Sequence, residues 1–204
     1  MVELGKIQRL SVEDFTGKRR LFCISNIFLP NEEDEKLKSL VETYWQEVLR
    51  QVEKLERLGF VTKIFVETLF IEGAEAVDVI RETNPYLYPF VEKKVSEGAV
   101  VVGLEDPEVF GEFIDWGNCL RVVKTVSVMK TVYDYFQEAN QKRLNQIREK
   151  IITNLAEGES AVLILRDQDR LKLNLPQDIE IFLIVPSIYD DIIRYLRDKL
   201  SKEG

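Results

Sequence analysis

Histidine is absent from the whole chain, and cysteine occurs only twice in its 204 residues. The first absence removes the general base of Ser-His-Asp and Cys-His catalysis and every histidine-containing metal site. Cys23 and Cys119 are too few for a disulfide framework or a thiolate zinc site. Cys23 lies in an apolar, strand-like run and reads as a buried, inert thiol. No apolar run approaches the roughly 18 residues that a membrane-spanning helix needs, so no membrane association is expected. The opening stretch "MVELGKIQRLSVEDF" carries acidic residues and lacks the apolar centre of a secretory signal, so a cytoplasmic location is expected. Positive charge is outnumbered, with 28 Lys and Arg against 36 Asp and Glu. With a net charge of −8 the chain repels phosphate backbones, and the short "KRR" at 18–20 does not reverse this, so no nucleic-acid partner is expected. Chemistry is left to carboxylates, Lys, Arg, Tyr, Ser, Thr and Asn. No cofactor and no metal are expected, although carboxylates holding a hard cation such as Mg²⁺ stay open.

What is present is a regular alternation. "RRLFCISNIF" (19–28) reads as a buried strand by its aromatic and branched content. A helix starts beyond "LPNEEDEK", with Asn31 as a plausible N-cap. Its apolar positions recur at helical spacing from Leu37 to Leu58 and stop at Gly59. A second strand (61–70), a short helix, a further helix (84–98) and a continuous apolar strand (99–105) follow. Asp106 and Pro107 open another helix as N-cap and first turn. From 118 to 157 there is neither proline nor glycine, and a helix-period stripe runs from Val122 to Leu155. This predicts one very long helix, or two that break near Ser127. Strands at 160–165 and 179–185 and a closing helix complete the pattern. The expectation is a single α/β domain over 1–204 with its core at about 19–200. A mainly parallel sheet of about five strands is flanked by helices, one of them very long.

Ligands of open α/β sheets sit at the carboxyl ends of the strands. The residues there are Ser25 and Asn26, Glu67 and Thr68, Glu105 and Asp106, then Arg166, Asp167, Gln168 and Asp169, and finally Pro186 and Ser187. Glu67 and Glu105 each end an apolar strand directly. Partial desolvation there raises a carboxyl pKa and makes a candidate catalytic acid or base. The competing reading is an ion pair that locks the sheet to the long helix. Asn140 and Arg143 interrupt the apolar stripe of that helix where Leu or Ile would serve packing better. Arg143 can pair with Glu67 or Glu105, or hold an anionic ligand group bidentately; alternatively both residues lie at the edge of the stripe and reach solvent. The charged "LRDQDR" after the fourth strand is either a turn or the rim of a site.

"VEKLERLGFVTKIFVETLFIEG", "GLEDPEVFGEFIDWGNCL", "TVYDYFQEANQKRLNQIREKIITNLAEGESAVLILRDQDR" and "LPQDIEIFLIVPSIYDDIIRYLRDKL" together resemble an uncharacterised prokaryotic family over roughly residues 20–200. That family is distantly similar to the superfamily of TraB and Tiki proteins, ChaN haem-uptake proteins and erythromycin esterases. The resemblance implies that Glu67 and Glu105 occupy strand-end acidic positions and that Arg143 with Asn145 forms the polar segment of the helix. It also implies that Arg166, Asp167 and Asp169 line a loop where relatives carry a histidine. Without that histidine, the implied protein is a catalytically altered relative that binds a small-molecule ligand or a partner. The alternative is a hydrolase using Glu67 or Glu105 as general base, with or without Mg²⁺. A homodimer is expected as well, because Val123, Val128 and Tyr135 widen the apolar face of the long helix beyond the arc one sheet covers.

Overall fold

The computed structural model describes residues 17–27, 29 and 34–203. Five strands form one sheet: β1 (Arg19–Ser25), β2 (Val61–Val66), β3 (Val100–Gly103), β4 (Ser160–Leu165) and β5 (Ile179–Ile184). Their order is β3-β2-β4-β1-β5, and every neighbouring pair is parallel. The helices are α1 (Glu35–Leu55), α2 (Gly73–Thr83), α3 (Tyr88–Ser96), α4 (Pro107–Val122), α5 (Val126–Asn154), the short α6 (Asp167–Arg170) and α7 (Ile188–Glu203). Among the described residues no helix is long and apolar enough to cross a membrane.

Strand residues alternate between two cores because successive side chains point to opposite faces. Phe22, Ile24, Ile64, Val66, Val162 and Ile164 meet α1, α2, α3 and α7. Leu21, Cys23, Phe65, Ala161, Leu163 and Leu165 meet Leu144, Ile147 and Ile151 of α5. This two-sided cover explains why the central strands read as unbroken apolar runs. On the outer strand β5, Ile181 and Leu183 face the α5 side and stay exposed, since α5 does not extend over them.

Helix ends follow local chemistry. Asp34 caps α1 by accepting from the Leu37 amide; the expected cap Asn31 lies outside the described residues. After α1 a single 3₁₀ turn (Glu56–Leu58) runs into Gly59 at φ 155°. A Cβ there would sit 2.7 Å from Ser160 Oγ, so close approach as well as backbone freedom favours glycine. Asp106 caps α4 through the amides of Glu108 and Val109, with Pro107 at the first position. The chain breaks at 123–125, just before Ser127, and α5 then runs for 29 residues. Strand ends come earlier than their apolar runs suggest: β1 stops at Ser25 instead of 28, β2 at Val66 instead of 70, and β3 covers 100–103 instead of 99–105. The residues beyond each strand turn inward and build the site.

Candidate functional site

Three strand ends and the helix α4 converge on Arg143 of α5. Its side chain is 1% exposed and belongs to the half of α5 that packs on the sheet. Nε donates to both oxygens of Glu105, at 3.0 and 2.9 Å, and Nη2 donates to Oε1 at 2.5 Å. Nη1 donates to Asp169 Oδ2 at 2.7 Å. Glu67 is farther from it, with 3.7 Å between Nη2 and Oε2. The guanidinium also lies over the rings of Phe113 and Phe110, 5.0 and 5.6 Å from their centroids.

Glu67 is fully buried and bound from the other side. Asn26 Nδ2 donates to Oε1 at 3.0 Å and Arg166 Nε to Oε2 at 3.3 Å. Arg166 also donates to Asp169 Oδ2 at 3.0 Å, and with its side chain 44% exposed it covers the cluster toward solvent. Burial raises the Glu67 carboxyl above its ordinary value, against the opposing pull of Arg166 and Asn26. Burial would also discharge Arg143, but its bonds to Glu105 and Asp169 outweigh that and raise its pKa. Glu105 is set by the backbone: its amide donates to Leu69 O at 2.9 Å, and its Oε1 accepts from the Thr68 amide at 3.4 Å. Thr68 has φ 63°, an unusual conformation for a β-branched residue, so strain is stored where β2 hands Glu67 to the cluster.

Asp167 belongs to a separate cluster. Ser25 Oγ and Tyr189 OH donate to it at 2.7 and 2.8 Å, and Arg170 Nη2 at 3.1 Å. Burial works to raise its pKa, but these three donors outweigh it and hold the carboxyl below its usual range. Tyr44 OH donates to Ser25 O at 2.8 Å and joins α1 to the same strand end. Burial pushes the nearby Cys23 thiol up to about 12.

The structure therefore brings together Glu67, Glu105, Arg143, Arg166 and Asp169. Asn140, 6% exposed, stands one turn before Arg143 on α5, and its Oδ1 has no hydrogen-bond partner. Asn26 Oδ1 is a second buried amide oxygen without a donor. Asn145 does not join the cluster: it is exposed, accepts from Gln141, and lines an open cleft of about 470 Å³ with Asp106, Gln146 and Lys150. Sequence reasoning placed Asn26 at a strand end without giving it a role, and it missed Tyr44, Tyr189 and the phenylalanines under Arg143. Tyr189, three residues after Pro186 at the start of the closing helix, was the most accessible of these from strand-end logic.

Among the described residues no three acidic or cysteine side chains are placed to hold a metal ion. The acidic groups point at guanidinium groups, which occupy the position a shared cation would take. Chemically the cluster can accept hydrogen bonds, take up a proton at Glu67, and exchange the Arg166 contacts for others. Comparison with protein-family models, with curated proteins and with solved structures finds no match to this chain.

Proposed function

We propose that the protein binds a small cationic or hydrogen-bond-donating molecule at the carboxyl end of its sheet and does not hydrolyse it. The observation that carries this reading is Asn26 Oδ1, a buried amide oxygen left without a donor on the residue that binds Glu67, together with Asn140 Oδ1, likewise without a donor one turn before Arg143, at a cluster with more carboxylates than guanidinium groups. Leaving a buried acceptor unsatisfied costs about 1–3 kcal/mol, and a ligand amine would remove that cost. The acidic surplus favours positive charge, and displacement of the half-exposed Arg166 gives access. Glu105 and Asp169 are poor general bases because Arg143 already binds them. In terms of the resemblance to TraB, ChaN and erythromycin esterase proteins, this is a histidine-less, catalytically altered relative that works in the cytoplasm.

A second reading keeps catalysis. The raised pKa of Glu67 suits a general acid and supports a hydrolase that uses this carboxyl alone. Calorimetric titration with putrescine and spermidine separates the two. Under the binding reading, one amine binds stoichiometrically, seen as a saturable binding enthalpy. Asn140→Ala then weakens binding by about tenfold. Absence of binding, together with ester hydrolysis that Glu67→Gln abolishes, would replace the first reading by the second.

A further inference from the structure

The outer parts of α4 and α5 form a helical hairpin that leaves the sheet. No residue from Ile114 to Thr131 is buried. The hairpin is nevertheless ordered internally: Phe113 stacks on Phe136 with centroids 5.1 Å apart, and Trp116 on Tyr135 at 4.7 Å. Val126, Met129 and Tyr133 recur at the three- and four-residue spacing of one helix face, and all three are exposed, Val126 by 81%. Val122 on α4 is 73% exposed. Two helices alone cannot hide faces on both flanks, and a patch of this kind on a projecting arm marks an interaction surface.

Charge says what the partner is. The arm bears Arg121, Lys124 and Lys130, with no acidic residue from Trp116 to Tyr133. Immediately below it on α5 come Asp134 and Glu138, and on α4 Asp115 and Glu112. Among the described residues none of Arg121, Lys124, Lys130, Asp134 and Glu138 has an ion-pair partner. Lys130 and Asp134 are four residues apart, so they share one edge of the Val126–Met129–Tyr133 face. A basic tip above an acidic shank is self-complementary when two arms run antiparallel. A two-fold axis crossing α5 near Val132 sets Lys130 against Asp134 of the second copy, and Asp134 against its Lys130. An isologous contact always repeats in this way.

We propose that the α4–α5 hairpin is a homodimerisation arm. Two copies pack their arms antiparallel into a four-helix bundle, with Val126, Met129 and Tyr133 at its centre and Lys130–Asp134 pairs at its rim. The bundle leaves the strand-end cluster of each copy independent of the interface.

Sedimentation velocity on the full chain tests this with two single variants and their mixture. Lys130→Glu makes both rim positions acidic and Asp134→Lys makes both basic, so each variant repels its own copy. Each is expected to dimerise about tenfold more weakly than the wild type, because the axis converts one change into two repulsive contacts. An equimolar mixture restores complementary rims and is expected to regain wild-type association as a heterodimer. A wild type that stays monomeric at about 50 µM, well above the Kd of an ordinary stable interface, overturns the proposal. Single variants that dimerise as the wild type does overturn the antiparallel arrangement. Co-sedimentation of a monomeric wild type with phosphatidylserine vesicles, lost in Lys130→Glu, assigns the arm to an anionic membrane surface instead.

Discussion

Arg143 occupies the place of a core leucine and keeps its charge because Glu105 and Asp169 meet it with short hydrogen bonds from two strand ends. The pairing places a cost on any change that removes only one side. Arg143→Ala leaves buried carboxylates uncompensated and is expected to lower stability by about 3–5 kcal/mol. The exposed Arg197→Ala should change it by less than about 0.5 kcal/mol. Urea denaturation checks both, and the gap between Arg143→Ala and wild type should narrow at low pH or in a Glu105→Gln background. The pH dependence has a sign for each cluster. Glu67 has a raised folded-state pKa, so its contribution is most favourable below the ordinary value of 4.5 and declines as pH rises through the folded value. Asp167 is depressed, so its contribution is complete above 3.8 and is lost as pH falls through its folded value. Glu67, Glu105 and Arg143 were legible in the sequence because each breaks an apolar pattern where packing alone would not place charge. Asn26 and Tyr189 carry no such signal, and their roles come from the neighbours that the fold supplies.

At the scale of elements, β3 shows why strand ends matter more than strand lengths. Its last residue, Gly103, lies so close to the turn after β2 that an added Cβ would sit 2.5 Å from Ile71 O and 2.7 Å from Leu69 O. Both neighbours are backbone, so neither can swing aside. That approach lets the Glu105 amide reach Leu69 O and brings the carboxyl to Arg143. Gly103→Ala is therefore expected to cost about 2–3 kcal/mol by overpacking. Gly111, mid-helix in α4 with open space around it, is the control: Gly111→Ala should gain about 0.5–1 kcal/mol from helix propensity. Thermal unfolding of the pair checks the contrast. The sequence shows Gly103 only as a residue inside the apolar run 99–105, since the crossing backbone that crowds it comes from 69–71. Likewise α6, four residues inside "LRDQDR", has no apolar period to announce it, and the stretch that reads as turn or rim is partly both. The α4–α5 break has no glycine or proline, so composition could suggest it near Ser127 without fixing it at 123–125.

For the whole molecule, alternation of strand and helix made a parallel sheet readable, but strand order depends on which helices share a face, and no local pattern records that. The observed order interleaves the two ends of the chain: β1 lies between β4 and β5, and β4 lies between β1 and β2. Neither half of the sequence thus holds a complete sheet, and the two cores share the same strands back to back. Loss of either core removes one face from every central strand, so both are expected to unfold together, as a single cooperative unit. The chain carries a reporter for each. Trp45 is buried in the core on the α1 side and Cys23 in the core on the α5 side. In a Trp116→Phe, Cys119→Ser background, Trp45 fluorescence and Cys23 thiol labelling are followed against urea. The native thiol is slow to react, being buried and raised to about 12, so labelling reads its exposure. Midpoints that agree support one unit, whereas a separation beyond about 0.5 M, with m-values divided between two steps, would show that the faces unfold independently.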